Sequence, residues 1–134
     1  MIKFIALFIF VFASFLVLKT IDSFADVSES QKPEVQHLLE FVKTTDCTFE
    51  RNGKKHDGER ASKHIKRKYK HFRDQITTTE EFIEYSGTKS TMSGNFYLVY
   101  CGDNDPIKSS VWLLEELNRF RHNPDDLSRM KETF

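Results

Sequence analysis

Residues 46–72, DCTFERNGKKHDGERASKHIKRKYKHF, put a cysteine, a tight hairpin and an amphipathic helix in direct succession. Asn52-Gly53 lies between Thr48-Phe49-Glu50-Arg51 and Lys54-Lys55-His56. This dipeptide tolerates positive φ at both centres of a type I′ turn, so a short β-hairpin is expected. Asp57 then offers a side-chain oxygen for an N-cap, and Ala61, Ile65, Tyr69 and Phe72 recur at helical spacing. They form one apolar stripe on a helix expected to end near Gln75.

Working outward on the N-terminal side, Pro33 suits a first helical turn, and Val35, Leu38, Leu39 and Val42 follow as a second stripe ending near Thr44. His37 and Phe41 lie off that stripe; His37 is expected in solvent and Phe41 against the hairpin. On the C-terminal side, Thr77 and Glu80 have the spacing of a capping box opening a short helix that stops at Gly87. An irregular loop over residues 88–95 leads to Phe96–Cys101, an aromatic and β-branched run suited to a buried strand. After the turn at Gly102–Pro106, Ser109 or Ser110 can cap a last helix carrying Leu113, Leu117 and Phe120. The expected architecture is a small α+β domain: a short antiparallel sheet, hairpin plus one further strand, packed with about four helices.

The chain of 134 residues divides into three parts. Lys3 precedes an apolar run from Phe4 to Leu18, and Ser23-Phe24-Ala25 places small residues at the −3 and −1 positions of a signal-peptidase site. Residues 1–25 therefore read as an export signal, the run being short for a membrane span of about 20 residues. An uncleaved anchor is the alternative, because Lys19 interrupts the approach to the cut. Residues 26–122 form the domain, and 123–134 a tail or short helix after Asn123-Pro124. With 20 basic and 20 acidic side chains in balance, no global field points to nucleic acid. Both cysteines, Cys47 and Cys101, follow the signal, where an oxidising compartment favours their pairing as a disulfide.

Rotating the second helix by about 100° per residue from Ala61 places Lys68 at about 340° and His64 at about 300°, both bordering the apolar stripe. A polar pocket on this i, i+4 pair is one reading; a lysine that snorkels beside a hydrogen-bonded histidine is the other. Lys63, Lys66, Arg67, Lys70 and Arg73 fall on the opposite, basic side. His64 and His71 are about 10.5 Å apart along the helix, too far to share one ion, so no metal or other cofactor is assigned. Ser86-Gly87-Thr88-Lys89 and Ser128-Arg129-Met130-Lys131 both match S-x-x-K, without its partner motifs.

The run Phe49-Glu50-Arg51-Asn52-Gly53, with His56, Glu59, Ala61, His64 and Lys68, then Arg73, Glu80-Glu81-Phe82-Ile83, Ser90, Gly94 and Tyr97, resembles the YfeK-like family of small exported bacterial proteins, a domain of unknown function. The likeness spans roughly residues 38–112. It departs at Arg60, where an acidic residue is common, at Ile65 for leucine and at Phe96 for proline. The resemblance implies a single compact domain in the Gram-negative periplasm, and it marks His64, Lys68, Glu80, Ser90 and Gly94 as motif positions.

The sequence thus points to a non-catalytic binding or accessory protein of the envelope, with His64, Lys68, Glu80, Ser90, Ser93 and Tyr97 as candidate contacts. The partner would be an envelope protein or a ligand with anionic or hydroxyl groups, with no stable membrane insertion once the signal is removed. One alternative is a small hydrolase using Ser90 or Ser93 with His64 as base and Glu80 as its orienting group. Another is a structural or inhibitory protein that binds anionic polymers through the basic helix face.

Overall fold

The computed structural model describes residues 25–123 and Asp125. Apart from Ala25, Asn123 and Asp125, the expected export signal and C-terminal tail lie outside the described residues. Helix α1, Lys32–Thr44, buries Val35, Leu38 and Val42 and carries proline in its first turn. Strands β1, Thr48–Arg51, and β2, Lys54–His56, pair antiparallel through a turn in which Asn52 and Gly53 have φ of 52° and 75°. Those two positive angles are the ones the turn demands.

Helix α2, Gly58–Phe72, follows at once, with the Asp57 carboxylate accepting from the Arg60 N–H at 2.8 Å. Its first residue touches the end of α1: a Cβ on Gly58 would meet the Val42 carbonyl at 2.2 Å. A 3₁₀ turn over Arg73–Gln75 leads to α3, Thr79–Phe82, which widens into a π turn over Ile83–Gly87. Strand β3 is Leu98–Tyr100, β4 is Ile107–Lys108, and α4 runs Ser109–His122. The four strands form one antiparallel sheet in the order β2-β1-β3-β4.

The four described helices and this sheet make a small α+β fold. Its core joins Leu38 and Val42 of α1, Phe49 of β1, Ile65 of α2, Phe82 and Ile83, Val99 of β3, and Leu113 and Leu117 of α4. Cys47 and Cys101 form a disulfide across Cα atoms 4.5 Å apart, fastening the entry of β1 to the exit of β3. Trp112 bridges helices and sheet, stacked on Phe41 at 4.4 Å and edge-on to Phe49 at 5.5 Å.

Several local expectations are corrected. The capping box is one residue later: the Thr78 hydroxyl accepts from the Glu81 N–H, and the Glu81 carboxylate accepts from the Thr78 N–H. The strand expected over Phe96–Cys101 is shorter, Leu98–Tyr100, and burial alternates along this stretch, with Tyr97 and Val99 buried and Phe96 48% exposed. Strand β4 was not foreseen, since two residues carry no period. No serine side chain caps α4; Lys108 occupies the cap, and Ser109 is buried, its N–H donating to the Tyr97 carbonyl. His37 is not solvated. It stacks on Phe120 at 4.1 Å and hydrogen-bonds the buried Glu116 at 2.5 Å. Phe41 contacts Trp112 of α4, which stands between it and the hairpin residue Phe49.

Candidate functional site

Strand geometry places the site. Side chains two apart share a face, so Arg51 lies on the core-facing side with Phe49, and Tyr97 on the same side as Val99. Because Phe49 pairs with Val99, Arg51 and Tyr97 emerge together at one end of the inner face. Helix α2 crosses there and presents His64, Arg67 and Lys68.

His64 Nε2 and the Tyr97 hydroxyl are 3.0 Å apart. The Lys68 ammonium donates to the Lys89 carbonyl at 2.6 Å and, more weakly, to the Tyr97 hydroxyl at 3.5 Å. The Tyr97 hydroxyl is hydrogen-bonded to both side chains and so links the two helix residues. Beside them, Asn52 in the hairpin turn donates to Ser90 Oγ at 3.4 Å and accepts from the Ser93 hydroxyl at 2.6 Å. Ser90 Oγ also accepts from the Ser93 N–H at 3.3 Å. These bonds hold the loop after α3 against the turn.

Two grooves meet here. One, of about 580 Å³, runs between the hairpin and α2 over Phe49, Ala61 and Ile65; the other, of about 510 Å³, continues past Lys68, Phe72 and Ser90. Arg51, His64, Arg67 and Tyr97 line both. Of the candidate contacts, His64, Lys68, Tyr97 and Ser90 therefore come together, and Ser93 joins them through Asn52. Glu80 does not: its carboxylate pairs with Arg121 of α4 at 2.6 Å, which also grips Glu34. With His64 engaged by Tyr97 and Glu80 by Arg121, the serine, histidine and glutamate of the hydrolase alternative are not assembled as a triad.

The electrostatics of the site are one-sided. Burial, reinforced by Arg51, Lys68 and Arg67, pushes the His64 imidazole down to about 4. Burial, with Arg51 and Lys89 adding like charge, also lowers the Lys68 ammonium. Burial raises the Tyr97 phenol against the pull of Arg51. Among the described residues no carboxylate lies within ion-pair distance of Arg51, Arg67 or Lys68. Two neighbouring cations do have partners: Lys63 of α2 pairs with Glu59 at 2.9 Å, and Arg73 of the 3₁₀ turn with Asp26 at 2.5 Å. No group of three His, Cys, Asp or Glu side chains among the described residues could hold a metal ion.

The model of a family of unknown function, DUF5329, matches residues 29–121, a span that includes every described helix and strand but the last residue of α4. The chain belongs to this DUF5329 family. It is also 31% identical over 82 residues to the uncharacterized protein YfeK of Salmonella typhimurium, covering 60% of this chain and 68% of that one. No solved structure matches. All the groove residues named above fall inside the DUF5329 match.

Sequence reasoning passed over Arg67, assigned to the opposite, basic side of α2 but found lining both grooves, and Arg51, taken as a flank of the turn. The signal for Arg51 was present: two positions after the apolar Phe49 in a strand, it must share the core-facing side.

Proposed function

We propose that this DUF5329 protein is an exported, periplasmic binding protein that holds a ligand with anionic or hydroxyl groups at Arg51, His64, Lys68 and Tyr97, without catalysing its conversion. The observation that carries the reading is the convergence of Arg51, Arg67 and Lys68 on one groove with no carboxylate to neutralise them. Cations gathered at a partly dry site repel one another, and an anion entering there gains from every one of them. The neutral imidazole and the Tyr97 hydroxyl add uncharged hydrogen-bonding groups beside the positive ones. Export is supported by the apolar opening of the sequence and by the disulfide, a bond that persists in oxidising compartments. Among the described residues no helix is long and apolar enough to cross a membrane.

Binding is tested with inorganic phosphate as the probe, followed by calorimetry at low ionic strength. The unaltered protein should bind it, and Arg51→Gln with Lys68→Gln should weaken binding at least about tenfold, since charge-assisted bonds contribute about 1.5–3 kcal/mol each. Unchanged affinity in the double variant would remove this site from the account. Fractionation of a Gram-negative host should recover the chain, with its thiols oxidised, in the periplasmic fraction; recovery of reduced protein with the cytosol would overturn the location.

A further inference from the structure

The larger groove has two chemically distinct parts. Its floor is apolar, made by partly buried Ala61 and the small open edges of Phe49, Ile65 and the Tyr97 ring, which are otherwise buried, and its rim is cationic, with Arg60, Lys66, Arg67 and Lys70 following one another along α2. Glu50 is also in the lining, but its carboxylate already accepts from the Tyr100 hydroxyl at 2.7 Å. His56 Nε2, on the wall of the same groove, is buried and has no hydrogen-bond partner among the described residues. At about 580 Å³ the groove falls within the range of about 300–1,000 Å³ usual for small-molecule sites.

Simple inorganic anions would use the rim and leave the floor wet. A neutral apolar molecule would use the floor and leave the cations unanswered. The ligand that satisfies both carries a hydrocarbon body and one negative head. We infer that this groove takes a single-chain amphipathic anion, its chain along Phe49, Ala61 and Ile65 and its carboxylate or phosphate head against Arg51, Arg67 and the Tyr97 hydroxyl. This deepens the anion-binding reading and rests on it. The hydrophobic effect then supplies affinity that the solvent-screened rim cannot, while charge sets which end goes where.

The test is calorimetry of the intact disulfide-bonded protein with inorganic phosphate, butyl phosphate, dodecyl phosphate, dodecanoate and the neutral dodecyl maltoside, each below its micelle concentration. A buried methylene tightens binding up to about fourfold. Dodecyl phosphate should therefore bind one to one and at least about tenfold tighter than butyl phosphate, with the maltoside at least about tenfold weaker. The relative affinity of dodecanoate and dodecyl phosphate distinguishes a fatty-acid head from a phosphate head. Ala61→Leu, which raises the groove floor, should cut dodecyl phosphate affinity at least about tenfold and leave inorganic phosphate, which uses only the rim, unchanged; if that variant does not fold, the chain-length series on the unaltered protein decides. Equal affinity for inorganic, butyl and dodecyl phosphate would overturn the inference and leave anion binding standing. Equal affinity for the maltoside would overturn the assignment of the head, and binding of none would overturn both readings.

Discussion

His64 Nε2 and the Tyr97 hydroxyl, 3.0 Å apart, are the contact through which α2 meets the inner face of the sheet at the candidate site. The rings also pack edge to face, with centroids 5.8 Å apart. Tyr97→Phe keeps the packing and removes the hydroxyl, leaving a half-buried imidazole nitrogen and the Lys68 ammonium each short of one partner. The expected loss is about 1–2 kcal/mol of unfolding free energy in urea, together with weaker phosphate binding. A variant as stable and as tight as the original would show that the contact is incidental.

Acid should weaken the fold through His64. Its folded pKa is about 4 against 6.5 for a free histidine, so between these values the unfolded chain takes a proton that the native imidazole refuses. Stability from this group is complete above pH 6.5 and declines as the pH falls towards 4. Thermal melts from pH 7 to pH 4 should show a downward slope that His64→Gln reduces. Identical slopes in both proteins would place the pH sensitivity elsewhere.

The Cys47–Cys101 bond closes a separation of 54 residues. In the chain-entropy description such a crosslink contributes up to about 4 kcal/mol. Reduction, or Cys47→Ser with Cys101→Ser, should lower the melting temperature by several degrees or more. The loss should appear as a smaller urea midpoint; no change would mean that the reduced chain already holds these segments together.

Gly58 is required by contact rather than by its backbone angles. A methyl group there would stand 2.2 Å from the Val42 carbonyl and 3.0 Å from that of Lys43, both backbone atoms that cannot swing aside. Gly58→Ala should therefore destabilise by about 1–3 kcal/mol through forced separation of α1 and α2, despite alanine's better helix propensity. A stabilised variant would contradict the close approach.

Much of this molecule was readable where its signals are local. Asn52-Gly53, the Asp57 cap and the Ala61–Ile65–Tyr69–Phe72 stripe lie within a few residues of one another, and each appears as the chain spells it. The pairing of Cys47 with Cys101, the two cysteines of the chain, was legible from their count. Reading failed where a one-residue shift matters or where the partner is distant. Moving the capping box from Thr77 to Thr78 exchanges the duties of Glu80 and Glu81, turning Glu80 away from the groove and towards Arg121. His37 and Phe41 lie off the stripe of α1 and are covered by Phe120 and Trp112, 83 and 71 residues later, which helical periodicity cannot show. Within the site, His64 and Lys68 were visible from helix rotation alone. Arg51 needed strand alternation, and the uneven charge around it appears only once hairpin and helix are packed together.

On the proposed reading, an anion enters the cationic site bordered by His64. The direct measurement is the ring-proton NMR titration of His64 against pH, with and without inorganic phosphate at low ionic strength. A bound phosphate anion offsets Arg51, Arg67 and Lys68, whose repulsion helps hold the imidazole down, so the midpoint should rise from about 4 towards the value of a free histidine. The shift should vanish in Arg51→Gln with Lys68→Gln. A His64 midpoint that does not move with phosphate would contradict the account.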